Sequence, residues 1–274
     1  MKKKILIFYG AYGGGHLSAA KAIKNYLDNH YEDCETLMID CVEYINKYIN
    51  KLSTTAYKEM AKKAPWMWKR IYSNSDHGAL AKITTTSNKL MARKLNNILQ
   101  EFEPDLVIST HPFSNQMCTD LKKKNKISCK IATVLTDMAP HSQWLVDSEY
   151  IDYYFVANQE MKVALSDSGI ADFKIFVTGI PLSDRFGKVF DNEKTYRNFN
   201  LDPNKTTVLF FAGGEFGLGR KRTHLVFRAL IRLFKNFQII AISGKNKKMN
   251  EKFHSLVDLY GVSDRVRILD YTDK

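Results

Sequence analysis

The residues best suited to chemistry come first in the chain. Gly10, Gly13, Gly14 and Gly15 form a stretch with almost no side chains, and His16 follows directly. A glycine turn that opens a helix presents bare backbone N–H groups and the positive end of the helix dipole, a setting for an anion. Such a helix end also disfavours imidazolium, so His16 there stays neutral and can accept a proton near pH 7. The plainer reading is a tight turn with a capping histidine. His111 ends another apolar run in Ser109-Thr110-His111-Pro112, and is open to both a structural and a site reading. Thr136-Asp137-Met138-Ala139-Pro140-His141-Ser142-Gln143-Trp144 gathers Asp137, His141 and Trp144 around a proline, which suits a contact loop. There Asp137 is a candidate to orient or polarise a histidine. An N-cap role for Asp137 and a core role for Trp144 compete with this. A second glycine loop, Gly213-Gly214-Glu215-Phe216-Gly217-Leu218-Gly219, precedes another helical pattern and is a second candidate anion site.

Two common nucleotide motifs fit the first loop poorly. Gly10 and Gly15 have P-loop spacing, but His16-Leu17 stands where Lys-Ser/Thr would hold phosphate and magnesium. Ser18 falls where the last glycine of a dinucleotide fingerprint belongs, although Asp40 at the end of the next strand could still hold a ribose.

These residues sit at the ends of apolar runs. Strands are expected at 5–9, 36–40, 105–110, 130–136, 153–157, 174–178, 207–212, 237–243 and 266–269, with helical patterns between most of them. The first helix is expected from Leu17 onward. This alternation predicts parallel α/β layers with sites at the carboxyl ends of the strands. The polar stretch 184–205 reads as a linker. The expected domains are therefore 1–183 and 206–274, and the second is short for a freestanding α/β unit.

Composition narrows the class further. The chain has 274 residues, 45% of them hydrophobic. No apolar run reaches the length of a membrane span, and Lys2-Lys3-Lys4 leads into a strand rather than a secretory signal. Cys34, Cys41, Cys118 and Cys129 make no C-x-x-C pair, which points to a reduced cytoplasmic protein without structural zinc. The net charge is +12, and residues 46–95 carry eleven Lys/Arg against only Glu59 and Asp76. Within that segment Trp66, Trp68, Lys69 and Arg70 lie together. Trp beside Lys/Arg suits an anionic membrane surface, while a basic helix pair with core Trp is the competing reading. No nucleic-acid motif accompanies the charge, so no nucleic-acid partner is expected.

Taken in order, these blocks resemble the monogalactosyldiacylglycerol synthase and processive diacylglycerol glucosyltransferase family (glycosyltransferase family 28). The glycine–histidine loop with Ser18-Ala19-Ala20, the 104–112 block, Thr136-Asp137 with His141 and Trp144, Gly179-Ile180-Pro181, the Gly213–Gly219 loop and Ser243-Gly244-Lys245-Asn246 carry the likeness. The resemblance implies two Rossmann-like domains of the glycosyltransferase B (GT-B) type, the second incomplete in this chain, and inverting transfer of a hexose from a UDP-sugar to diacylglycerol. It makes His16 the candidate base, with Asp137 beside it. Gly13, Gly14, Gly15, His111, His141 and Trp144 fall on the acceptor side. Gly213, Gly214, Glu215, Gly217 and Gly219 fall on the donor side. UDP-glucose or UDP-galactose is the implied donor, with no cofactor and no metal, and the implied location is the inner face of the cell membrane, bound peripherally. Residues 1–274 alone are expected to be a poor catalyst, because the family's later donor block lies beyond Lys274. A polyprenyl-diphosphate acceptor, or a non-catalytic membrane-binding module, are the alternatives.

Overall fold

The computed structural model describes residues 2–10, 14–45, 92, 94–212, 219–233 and 236–271. Two compact units divide it, one ending at Lys188 and the other running from Val189.

The first unit is built on a six-stranded sheet in the order β2-β1-β3-β4-β5-β6, with every pair parallel. The strands are β1 (Lys3–Tyr9), β2 (Cys34–Asp40), β3 (Leu106–Ser109), β4 (Lys130–Val134), β5 (Tyr153–Val156) and β6 (Ile175–Val177). Helices α1 (Gly14–His30), α2 (Cys41–Ile45), α3 (94–102), α4 (Pro112–Lys123) and α5 (Gln159–Asp167) lie between them. Because parallel strands need crossovers, helices cover both faces, and the residues of the central strands are buried on both. β1 shows this directly. Ile5 and Ile7 join a cluster with Ala20 of α1, Ile108, Ala132 and Val134. Leu6 and Phe8, one pleat away, join the larger cluster with Leu95, Leu99, Met117, Leu121 and Trp144. The four-residue apolar run of β1 thus serves two cores, one on each face.

The strand order fixes where a site can form. The chain leaves β1 for β2 on one side and returns across β1 to β3 on the other. This reversal opens a crevice at the carboxyl ends of β1 and β3.

The second unit holds a three-stranded parallel sheet in the order β7-β8-β9. Its elements are α6 (Asn192–Asn198), β7 (Thr207–Phe211), α7 (Arg220–Leu233), β8 (Gln238–Gly244), α8 (Lys247–Tyr260) and β9 (Val266–Asp270). Phe227 of α7 and Phe253 of α8 meet with ring centroids 4.2 Å apart, and Ile231, Leu256, Val257 and Ile239 pack around them. The 184–205 stretch read as a linker contains a 3₁₀ turn at Asp184–Gly187 as well as α6. Asp191 caps α6 by accepting from the Lys194 N–H at 3.0 Å. Among the described residues no helix is long and apolar enough to cross a membrane.

Asp152, just before β5, fastens one side of the first unit. Its carboxylate accepts from Lys122 Nζ at 2.5 Å, from Lys130 Nζ at 2.9 Å and from the Ile131 N–H at 2.9 Å. Burial raises its pKa, but the hydrogen bonds from Lys122, Ile131 and Lys130 outweigh this and hold the carboxyl below its usual range. Asp152→Ala leaves the partly buried Lys122 ammonium without its anion. It is expected to cost about 2 kcal/mol, read as a lower midpoint in urea at unchanged slope.

Candidate functional site

The carboxyl ends of three neighbouring strands, β1, β3 and β4, carry the groups of interest. They meet there because the register aligns Phe8 with Ser109, and Ser109 with Thr133, so residues just past these positions emerge side by side. The Thr110 N–H donates to the Phe8 carbonyl at 3.0 Å, extending the ladder one residue beyond β3.

His16 is the third residue of α1, which begins at Gly14 rather than at Leu17 as expected. Gly14 and Gly15 are exposed and nothing lies within 4 Å of where a side chain would begin, so the helix start is open. The His16 ring turns back toward the sheet. Its Nδ1 lies 2.6 Å from the Thr110 carbonyl oxygen and 2.8 Å from Thr136 Oγ1. A carbonyl oxygen only accepts, so Nδ1 carries the proton and the lone pair sits on Nε2. Burial lowers the His16 pKa. The Thr110 hydrogen bond and the Asp137 charge oppose that, and nearby His141 adds to it. His16 is therefore a neutral imidazole at pH 7 with Nε2 as its basic atom.

His111 caps α4. Its Nδ1 accepts from the Phe113 N–H at 3.2 Å, so its proton sits on Nε2. Its ring meets the His16 ring edge-on at 4.6 Å and the Phe113 ring at 4.7 Å. Burial, and then the neighbouring His16, push its pKa well below the ordinary histidine value. His111 is only 6% exposed. Of the two readings open for it, the structure shows the structural one: His111 is a buried cap and a wall for His16. Gly10 permits that placement. A Cβ there would stand 3.0 Å from His111 Cγ and 3.1 Å from Cδ2.

Asp137 does not orient His16 by a hydrogen bond. Its Oδ2 accepts from Trp144 Nε1 at 2.7 Å and lies 3.5 Å from His141 Nε2. Burial raises its pKa, but the His141 and Trp144 hydrogen bonds more than offset that, so the carboxylate stays ionised and acts on His16 through its field. Trp144 is fully buried in the main core. The core role that competed with a contact role is the one seen: the indole is a core plug whose N–H anchors Asp137. The 3₁₀ turn Ser142–Trp144 is in turn tied to α4, where Gln116 Nε2 donates to the Gln143 carbonyl at 2.8 Å. His141 is partly buried beside Asp137 and His16. Asp40, a possible ribose ligand, is 7% exposed, and its Oδ1 accepts from the Glu43 N–H at 3.0 Å, capping α2.

The structure thus brings together His16, His111, Asp137, His141 and Trp144. Two further members, Thr110 and Thr136, carried no signal of their own in the sequence beyond standing next to His111 and Asp137. Gly13, Gly213, Gly214, Glu215, Gly217, Trp66, Trp68, Lys69 and Arg70 lie outside the described residues. Gly219 is described. Its φ of +79° immediately before α7 is a left-handed turn that glycine adopts without strain.

Fold and site define a Rossmann-like α/β protein with a neutral histidine at its switch point. The chain belongs to the monogalactosyldiacylglycerol (MGDG) synthase family, whose model matches residues 16–182. It is 29% identical to the processive diacylglycerol beta-glucosyltransferase of Staphylococcus epidermidis over 99% of this chain and 66% of that protein. The Staphylococcus aureus (strain N315) protein of the same name is also 29% identical, over 98% of this chain and 66% of its own length. The chain thus spans about two thirds of the length of these relatives. Among solved structures, S. aureus MnaA with UDP superposes with a TM-score of 0.60 at 15% identity, covering 99% of this chain and 69% of that one. Acinetobacter baumannii MurG gives 0.58 at 10% identity, over 99% and 69%. These likenesses show the fold, the expected GT-B type of paired Rossmann-like units.

Two outcomes follow from the buried histidine pair. Gly10→Ala puts a Cβ 3.0 Å from the His111 ring, which must give by a few tenths of an ångström, and is expected to cost about 1 kcal/mol in chemical denaturation. Both His16 and His111 have folded pKa values below 6.5, so the unfolded chain takes up their protons first as pH falls. Stability from this pair is present above about pH 6.5 and is lost on acidification below it. His111→Asn, which keeps a capping oxygen but does not titrate, is expected to flatten the fall in melting temperature between pH 7.5 and 5.5.

Proposed function

We propose that the protein is a glycosyltransferase of glycolipid synthesis, which moves a hexose from UDP-glucose or UDP-galactose to the hydroxyl of diacylglycerol at a membrane surface. The observation that carries this reading is the neutral His16, protonated at Nδ1 and basic at Nε2, at the mouth of the β1–β3 crevice. Family membership supports it, as do relatives named for β-glucosyl transfer to diacylglycerol.

In this reading the lipid hydroxyl gives its proton to His16 Nε2 as its oxygen attacks the anomeric carbon. The bond from that carbon to the diphosphate oxygen breaks on the opposite face, and UDP leaves with the electron pair. One bond forms as another breaks, so configuration inverts. The proton transfer is the step a positioned base accelerates, typically by 10²–10⁴-fold. Asp137 contributes a fixed negative field that stabilises the imidazolium once formed. The donor diphosphate is assigned to the Gly213, Gly214, Glu215, Gly217 and Gly219 loop. The left-handed Gly219 at the N-terminus of α7 supports that assignment, because free N–H groups and the helix dipole there favour a leaving anion. Trp66, Trp68, Lys69 and Arg70 are assigned to anionic headgroups, each cation adding about 1 kcal/mol near the surface. A peripheral location at the inner face of the membrane is part of the same proposal, and these four residues are its proposed contact.

The natural full-length protein, supplied with diacylglycerol in anionic vesicles and radiolabelled UDP-glucose or UDP-galactose, tests the proposal. His16→Ala is expected to lower transfer by about 100-fold or more, with vesicle binding unchanged. Undiminished transfer in the variant would remove His16 from the mechanism. No transfer by the wild type with either donor would overturn the substrate assignment.

A further inference from the structure

We propose that Thr110 and Thr136 are the positioning residues of His16, a clamp of two neutral oxygens on Nδ1 that does the orienting work a carboxylate does in other base–orienter pairs. The proposal rests on the reading of His16 as the base and names what aims it.

The clamp is assembled from three strand ends. The Thr110 carbonyl takes the Nδ1–H at 2.6 Å, and Thr136 Oγ1 lies 2.8 Å from the same nitrogen. Since the Nδ1 proton is already committed to a carbonyl, Thr136 serves as a second acceptor for it. Thr110 also grips the backbone of the residue it orients: its Oγ1 donates to the His16 carbonyl at 2.9 Å. Thr110 itself is fixed to β1 through the Phe8 carbonyl. One residue therefore holds His16 at both backbone and ring, and the second closes the ring in from β4. The edge-on His111 ring bounds His16 on another side at 4.6 Å. A ring flip would put Cδ2–H in the place of Nδ1 and forfeit both contacts, so the flip is disfavoured and the lone pair is held at Nε2.

The choice of neutral acceptors has a chemical consequence. A carboxylate at Nδ1 would stabilise imidazolium strongly and keep the proton after transfer. A carbonyl and a hydroxyl fix the same tautomer with less charge stabilisation, so the base is both aimed and able to release its proton. Asp137, the only carboxylate acting on His16 among the described residues, is held off by its bonds to Trp144 and His141 and contributes through space.

Thr136→Val removes the oxygen at nearly constant shape, Thr136→Ser retains it, and Thr136→Ala is the fallback should Val not fit. Two readouts separate the positioning claim from the function it rests on. In the 274-residue chain labelled with ¹⁵N-histidine, the wild-type His16 ring is expected to show a protonated Nδ1 and an unprotonated Nε2. Thr136→Val is expected to draw the two signals toward each other as the tautomers mix, and Thr136→Ser to keep them apart. In the natural full-length protein, Thr136→Val is expected to lower kcat for lipid glycosylation about tenfold or more with KM little changed, and Thr136→Ser to stay within about twofold. Unchanged His16 signals in Thr136→Val, or an unchanged kcat while His16→Ala is inactive, overturns the proposal. If His16→Ala itself stays active, the reading of His16 as base fails, and the nitrogen spectra alone then decide whether the clamp exists.

Discussion

The contact on which the site depends is the hydrogen bond between His16 Nδ1 and the carbonyl oxygen of Thr110, two residues 94 positions apart in the chain. It forms because β1 and β3 are adjacent and in parallel register, which puts the start of α1 within reach of the residue that follows β3. Its chemistry is one-sided: a carbonyl has no proton to give, so the contact selects a single tautomer of the imidazole. The basic nitrogen therefore lies on the far edge of the ring.

Keeping that imidazole neutral is a matter of solvation. The His16 and His111 rings meet edge-on, each partly or wholly removed from water, and burial disfavours a charge on either, with His16 adding to the effect at His111. Glycine makes the arrangement sterically possible. With any side chain at position 10 the His111 ring would have to move, and with it the cap of α4 and one wall around His16. The cost of confining two histidines here is offset by the cap that His111 supplies and by the bonds that hold the His16 ring.

The loop after β4 plays a different part from the one its composition suggests. An aspartate, a histidine and a tryptophan close together in a proline-broken loop have the look of a contact surface. In the folded chain the tryptophan fills the core, and its N–H fastens Asp137 beside His141. The result is a fixed negative charge near His16 but not bonded to it. Such a charge can steady an imidazolium as it forms without claiming the proton in the ground state.

The alternation of apolar runs and helical patterns was sufficient to recover every described strand within two residues at either end, because a parallel sheet buried on both faces leaves an unmistakable run of apolar residues such as Ile5–Phe8. The glycine–histidine loop marked His16 for the same local reason: few structures need three successive glycines and then an ionisable side chain. Local sequence also fixed the kind of residue present at each strand end. It could not say which strand ends are neighbours. That depends on the 2-1-3-4-5-6 order, which brings Thr110 and Thr136 to His16, whereas the bond of Asp137 to Trp144 forms within the loop after β4. Nor could composition separate a buried Trp144 or His111 from an exposed one, since both residue types serve equally well in a core or at a binding surface. Residue chemistry was thus legible from the chain. The partners of His16, and hence its tautomer, were decided by the packing of strands far apart in sequence.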